Sequence, residues 1–201
     1  MNFTAVYKVN INDISRSEFG AAYFLMSEER QKKCDSLKRE EDKRLCIAAD
    51  MLLRQSLFEY AGIKKQELML SFSENGKPYI EDGRVHFSVS HSGDIAVVCI
   101  NEKNPVGIDI EKITQINSRV AKRIFSDAEI SFVFSSAEIP SGLITDRQVL
   151  ERFFRVWTYK EAFVKMTGEG ITDDIINVPY KPEKCCCEIF DDYCITVVTK
   201  E

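Results

Sequence analysis

The sequence predicts an α+β protein, on two observations. Two long segments, residues 27–60 and 146–167, carry helical periodicity. Around them lie short apolar runs of strand length, separated by turn signals. The chain has 201 residues, of which 44% are hydrophobic and 29% charged. That is the balance of an ordinary globular protein, long enough for one large domain or two small ones.

The elements follow in order. Residues 3–9 alternate loosely between apolar and polar, as a strand does. Across residues 27–60, Ala48, Met51, Leu52 and Phe58 keep a 3.6-residue period, and Gly62 supplies a stop. Strands are expected at 68–72, 78–80 and 85–90, with Asn75-Gly76 turning a hairpin between the first two. Residues 95–100 and 106–110 are two more. Ser126-Asp127-Ala128-Glu129 has the form of a capping box. The second long helix ends at Gly168, and residues 194–199 are strand-like. The least interrupted boundary falls at Lys103-Asn104-Pro105, dividing the chain into 1–103 and 104–201.

Composition excludes some classes. Lysine and arginine number 27 against 32 acidic residues, a net charge of −5, which argues against broad nucleic-acid binding. No apolar run reaches the length of a membrane span. The first residues lack a secretory pattern, so a cytoplasmic protein is expected. Seven cysteines, an odd number at irregular spacing, fit reduced thiols rather than a disulfide framework. Cys185-Cys186-Cys187 could suggest a metal site, but neighbouring side chains diverge and no histidine lies near, whereas zinc needs four convergent ligands.

Four blocks carry chemistry. In Val106-Gly107-Ile108-Asp109-Ile110-Glu111 the two carboxylates share one strand face, about 7 Å apart at Cα. That spacing suits a hard cation such as Mg²⁺. A half-exposed strand with a polar outer face gives the same pattern. On the second long helix, Leu150, Phe153, Phe154, Trp157 and Val164 form an apolar stripe with Glu161 inside it, and Lys165 follows one turn on. A carboxylate there must be paired or line a cleft; the alternative is a surface Glu–Lys pair. Gly76-Lys77-Pro78 and Phe87-Ser88-Val89-Ser90-His91-Ser92-Gly93-Asp94 place small residues and an imidazole at a strand end, where backbone amides can approach an anion. A loop histidine without chemistry is the plainer reading. Residues 30–44 hold seven basic side chains against four acidic ones, which is either a solvated helical face or a phosphate site.

In this order and spacing, these blocks resemble the 4′-phosphopantetheinyl transferases, specifically the larger, monomeric, surfactin-synthetase-activating type. The signature is Gly-x-Asp-x-Glu followed some fifty residues later by Trp-x-x-Lys-Glu-x-x-x-Lys. The resemblance implies two similar α/β halves related by a pseudo-twofold, with coenzyme A and Mg²⁺ bound between them. It implies transfer of the phosphopantetheine arm of coenzyme A to a serine of an acyl or peptidyl carrier protein, releasing 3′,5′-ADP. Carried over residue by residue, it makes Asp109, Glu111 and Glu161 the metal ligands. Glu161, directly or through a water, accepts the serine proton, and Lys165 offsets charge on the pyrophosphate. Ser90 and His91 contact phosphate oxygens, with His91 counted among the catalytic groups. Lys77 lies by the nucleotide and Lys33 approaches the 3′-phosphate, with Arg30 and Arg44 as helpers. Two other classes use parts of the same set. A Mg²⁺-dependent phosphodiesterase would pass the group to water. A non-catalytic carrier-binding protein would not need all three acids.

Overall fold

The computed structural model describes residues 4–64, 68–170 and 173–200. Phe3, expected to begin the first strand, lies outside them. Strand β1 is Ala5–Asn10, followed by helices α1 (Arg16–Leu25), α2 (Glu28–Ser36) and α3 (Glu40–Ala61). Next come β2 (Ser71–Phe72), β3 (Pro78–Tyr79), β4 (His86–Ser92), β5 (Ile95–Asn101) and β6 (Val106–Lys112). The remainder comprises β7 (Ile116–Asn117), α4 (Arg119–Ile124), α5 (Asp127–Phe134), β8 (Leu143–Ile144), α6 (Arg147–Thr167), β9 (Cys185–Phe190) and β10 (Tyr193–Thr199).

Two three-stranded antiparallel sheets organise the chain, in the orders β1-β5-β4 and β6-β10-β9. Strand periodicity explains how they stack. On β5, Ala96, Val98 and Ile100 join Leu52, Leu53 and Leu57 of α3 in one apolar cluster. The alternate residues, Ile95, Val97 and Cys99, meet Val106, Ile108 and Ile110 of β6 and Ile195 of β10 in another. The far side of the second sheet is covered by α6, whose Phe153, Phe154, Val156 and Val164 are buried with Cys194. The layers therefore run α3, first sheet, second sheet, α6. Strand β5 is buried along its whole length, as a strand between two apolar layers must be.

The expected helix over residues 27–60 is two helices. Leu37 and Arg39 are extended, closing α2 and opening α3. Within α3 the buried face is Ala49, Leu52, Leu53 and Leu57, while Phe58 is 48% exposed. Of the expected stripe, Ala48 and Leu52 are buried and Met51 packs against the core, and only Phe58 turns outward. The capping box at Ser126 and Glu129 is present, and Gly168 ends α6 in the left-handed conformation. Helix α1 and strand β9 had no sequence expectation.

Contacts between α6 and its surroundings fix where the helix lies. Gly107 of β6 sits directly under it, and a Cβ there would stand 1.9 Å from the Ala162 carbonyl oxygen and 2.6 Å from the Met166 nitrogen. Fully buried Lys160 donates to the carbonyls of Ile175, Ile176 and Val178 and pairs with Glu129 at 3.0 Å. Glu129 also accepts from the Ser126 and Tyr180 amides. Lys160, although inside the Trp-x-x-Lys-Glu signature, is thus a clamp joining α6 to α5 and to the segment after it.

Gly107→Ala is expected to destabilise the protein by at least about 2 kcal/mol, because the obstacle is backbone rather than a movable side chain. In a chain of this length the melting temperature falls by about 5 °C or more. Gly20→Ala, in α1 with open space around it, is the control and should leave stability equal or slightly raised. Thermal denaturation of the two variants checks both.

Candidate active site

The two sheets meet where the edge of β6 rests on β4, and serine side chains make the joint. The amides of Ile108, Ile110 and Lys112 donate to the hydroxyls of Ser88, Ser90 and Ser92 at 3.2, 3.4 and 3.1 Å. Three serines at a two-residue spacing thus take the place of a backbone ladder along an otherwise open edge. Two of them turn their own protons onward. Ser90 Oγ donates to Asp109 Oδ1 at 2.7 Å and Ser92 Oγ to Glu111 Oε2 at 2.8 Å. The serine run was expected at a strand end. The expected strand over 85–90 runs on to Ser92, so all three serines lie along β4 with their hydroxyls facing the second sheet.

Asp109 is 3% exposed, which removes the reading of this strand as one with a polar face toward water. Lys165 of α6 reaches across to it, with Nζ 2.6 Å from Asp109 Oδ1 and 2.8 Å from Ser90 Oγ. The other carboxylate oxygen, Oδ2, is buried and has no hydrogen-bond partner. Burial pushes the Asp109 carboxyl up from its usual range, against the pull of Lys165 and Ser90. Burial and the neighbouring Asp109 raise Glu111 as well. Its second oxygen lies 3.5 Å from the Trp157 indole nitrogen. Glu161, 5% exposed, is pushed up to about 7 by burial first and then by Asp109, with Glu111 adding to it. Asp109 therefore raises the proton affinity of Glu111 and Glu161, and Glu111 that of Glu161, across a shared space.

That space is a cleft of about 830 Å³ lined by Asp109, Glu111, Glu161 and Lys165 on one side and by Arg30 and Lys33 of α2 on another. Its size lies within the range of small-molecule sites. Among the described residues, no three histidine, cysteine or carboxylate side chains are grouped so as to hold a metal ion by themselves. The donor set is nevertheless a hard one. It offers oxygen ligands only, including one orphaned buried carboxylate oxygen, and Mg²⁺ commonly takes one or two carboxylates together with substrate phosphates and water.

The remaining expected residues are distributed as follows. His91 stands exposed at the cleft rim, on the face of β4 opposite the serines. Crowding by protein, then the Lys165 charge, holds its imidazole below the ordinary histidine range. Lys77 lines the cleft too, but its ammonium is donated to the Met166 carbonyl at 2.8 Å, where it caps the end of α6. Beside it Asn75 donates to the Gly168 carbonyl. Arg30 lies at the lip, 3.6 Å from buried Asp50, which also binds Arg54 at 2.7 Å. Arg44 is not a helper at the cleft. It donates to the Ile11 carbonyl and stacks over Phe19, holding α3 to the N-terminal segment. Sequence reasoning missed Asp50 and gave Ser92 no role of its own. Asp50 sits on the buried face of α3 four residues from Arg54, a helix-pair spacing that could have been read.

Comparison with known proteins places this chain in a family. A family model described as the 4′-phosphopantetheinyl transferase superfamily matches residues 105–196. A second, described as the N-terminal part of a 4′-phosphopantetheinyl transferase, matches residues 13–103. The chain belongs to the 4′-phosphopantetheinyl transferase superfamily. Within that superfamily its likeness is to the Sfp-type enzymes. It is 32% identical over 160 residues to 4′-phosphopantetheinyl transferase Sfp of Bacillus subtilis, covering 79% of this chain and 67% of that one. It is 31% identical to the transferase gsp of Aneurinibacillus migulanus, covering 80% and 63%, and 31% identical to HetI of Nostoc, covering 72% and 62%. The chain spans about two thirds of the length of these relatives. No helix among the described residues is long and apolar enough to cross a membrane.

Ser88→Ala leaves the Ile108 amide buried without an acceptor and should cost about 1–3 kcal/mol, read as a lower urea midpoint at unchanged slope. An unchanged midpoint would show that the hydroxyl bears no part of the joint between the sheets.

Proposed function

We propose that this chain transfers the 4′-phosphopantetheine group of coenzyme A to a serine of an acyl or peptidyl carrier protein, releasing 3′,5′-ADP. The observation that carries the reading is that Asp109, Glu111, Glu161 and Lys165 line one cleft, with an uncompensated buried oxygen on Asp109. Such a cleft favours a cation and, through it, a pyrophosphate. Family membership supplies the group transferred.

In this reading the serine oxygen of the carrier attacks the phosphorus bearing the pantetheine arm, the bond to the 3′,5′-ADP oxygen breaks, and the serine proton passes to Glu161 directly or through a water. Asp109, Glu111 and Glu161 would hold Mg²⁺, which when bound supplies a Lewis acid and a template for the pyrophosphate. Lys165 offers a fixed positive charge next to the developing negative charge. Its place is set in advance by Asp109 and Ser90, so little reorganisation is needed during reaction. Lys33 and Arg30 form the cationic lip that suits the 3′-phosphate, while Ser90, Lys77 and His91 line the wall along which the nucleotide lies. Ser90 acts there by holding Asp109 and Lys165.

We also read the chain as two related halves, 1–103 and 104–201. Each has an antiparallel three-stranded sheet with a long helix on its outer face, a repetition consistent with a pseudo-twofold. Both walls of the cleft come from one chain, which supports action as a monomer. Seven free cysteines suit a reducing, cytoplasmic setting.

Incubation with coenzyme A, Mg²⁺ and an apo-carrier protein should add the phosphopantetheine mass to the carrier serine. Coenzyme A breakdown with an unmodified carrier would instead identify a hydrolase. Chelation of divalent metal is expected to abolish transfer, with recovery on adding Mg²⁺. Asp109→Asn and Glu161→Ala should each lower transfer by at least about a thousandfold while circular dichroism stays native. A near-normal rate in either variant would remove that residue from the mechanism. Lys165→Ala should reduce kcat more than it raises the KM for coenzyme A; a pure KM effect would make Lys165 a binding group only.

A further inference from the structure

The cysteine triplet of β9 plays no part in transfer, and its three thiols occupy three different surroundings. Cys186 is exposed. Cys185 is half-buried, its Sγ 3.5 Å from the Pro182 carbonyl, and burial pushes its thiol up to about 11. Cys187 faces α6 and stands beside buried Cys194 of β10, with Sγ atoms 3.8 Å apart. The register pairs Cys187 with Thr196, so Cys194 is its diagonal neighbour on the same side of the sheet. The Arg155 guanidinium of α6 lies 3.3 Å from the Cys187 sulfur through Nη1. Thr158, one turn further along α6, meets Cys194 at 3.5 Å. The Cys194 thiol donating to Cys187, then Thr196 and Arg155, bring Cys187 down to about 6, and Cys194 is held far above the ordinary range in consequence. A thiolate stabilised by a guanidinium, with a second thiol in contact, is the arrangement found at oxidation-sensitive cysteines.

We propose that Cys187 and Cys194 form a peroxide-oxidisable pair, Cys187 attacking and Cys194 resolving. In the first step the Cys187 thiolate attacks a hydroperoxide: an S–O bond forms, the O–O bond breaks, and the departing alkoxide or hydroxide takes a proton to leave as alcohol or water. In the second, the Cys194 sulfur attacks the Cys187 sulfenic acid. The S–S bond forms, the S–O bond breaks, and hydroxide leaves with the Cys194 proton as water. Two thiols are oxidised and one peroxide is reduced. The sulfurs must close from 3.8 Å to about 2.05 Å. Cys187 is half-buried and Cys194 fully buried, so the peroxide reaches Cys187 first. Oxidation removes the charge that Arg155 faces and the thiol that Thr158 meets. Both belong to the helix that carries Glu161 and Lys165.

The test uses the full chain and does not depend on the transfer reaction. After hydrogen peroxide and alkylation of the remaining thiols, cleavage behind Glu188 separates Cys187 from Cys194. Mass spectrometry should find the two peptides joined, and thiol reductant should part them. In Cys194→Ser a 1,3-dione is expected to label Cys187 as the trapped sulfenic acid, and Cys187→Ser should form no link. A further measurement needs no variant at either cysteine: in the native chain at neutral pH, iodoacetamide should modify Cys187 at least as fast as exposed Cys186. Arg155→Gln should slow Cys187 about tenfold while leaving Cys186 unchanged. Labelling confined to Cys186, a link formed instead between Cys34 and Cys46, which share a buried cluster of the N-terminal half, or no effect of Arg155→Gln would each overturn the proposal.

Discussion

Everything at the centre of this molecule depends on burying the Asp109 carboxylate. Taking such a charge out of water costs several kcal/mol unless partners surround it. The chain supplies those partners from two other elements: a hydroxyl from β4 and an ammonium from α6. The three groups therefore bind the first sheet, the second sheet and the covering helix at one point. Only one oxygen is satisfied in this way. The other is left for something from outside, and that incompleteness separates a site from an ordinary buried ion pair.

Around this point the packing is arranged to bring α6 unusually close to β6. A glycine under the helix removes the side chain that would hold it off, and Lys160 gathers three carbonyls and a carboxylate at its back. At its far end Lys77 and Asn75 cap the last carbonyls from the β2–β3 hairpin. The helix is thus located by polar contacts on several sides. Small errors in its placement would matter, because Glu161 and Lys165 lie on it only four residues apart.

Much of this was legible in the sequence, for physical reasons that can be named. Helix α6 could be read because its stripe is long and Gly168 ends it, and Glu161 stood out because a charge interrupted that stripe. The paired carboxylates of β6 could be read from strand alternation. The burial of Asp109 could not, since it depends on α6 crossing that face and on the serines of β4 meeting its edge. Helix α1 went unread although Ser15 and Glu18 form a capping box, because few of its residues are buried. Strand β9 was hidden by three successive cysteines, whose type does not distinguish an inward from an outward position. The serine run looked like an anion-binding strand end because hydroxyl-to-amide bonds between strands leave no trace in local pattern.

Joining two sheets through side-chain hydroxyls has a practical corollary. Amides along an antiparallel strand point alternately to opposite edges, so those of Ile108, Ile110 and Lys112 face the serines while those of Gly107, Asp109 and Glu111 turn toward β10. Deuterium uptake at the even-numbered positions therefore reports separation of the two layers, and uptake at the odd-numbered ones reports fraying within a single layer. One strand of seven residues carries independent gauges for both motions.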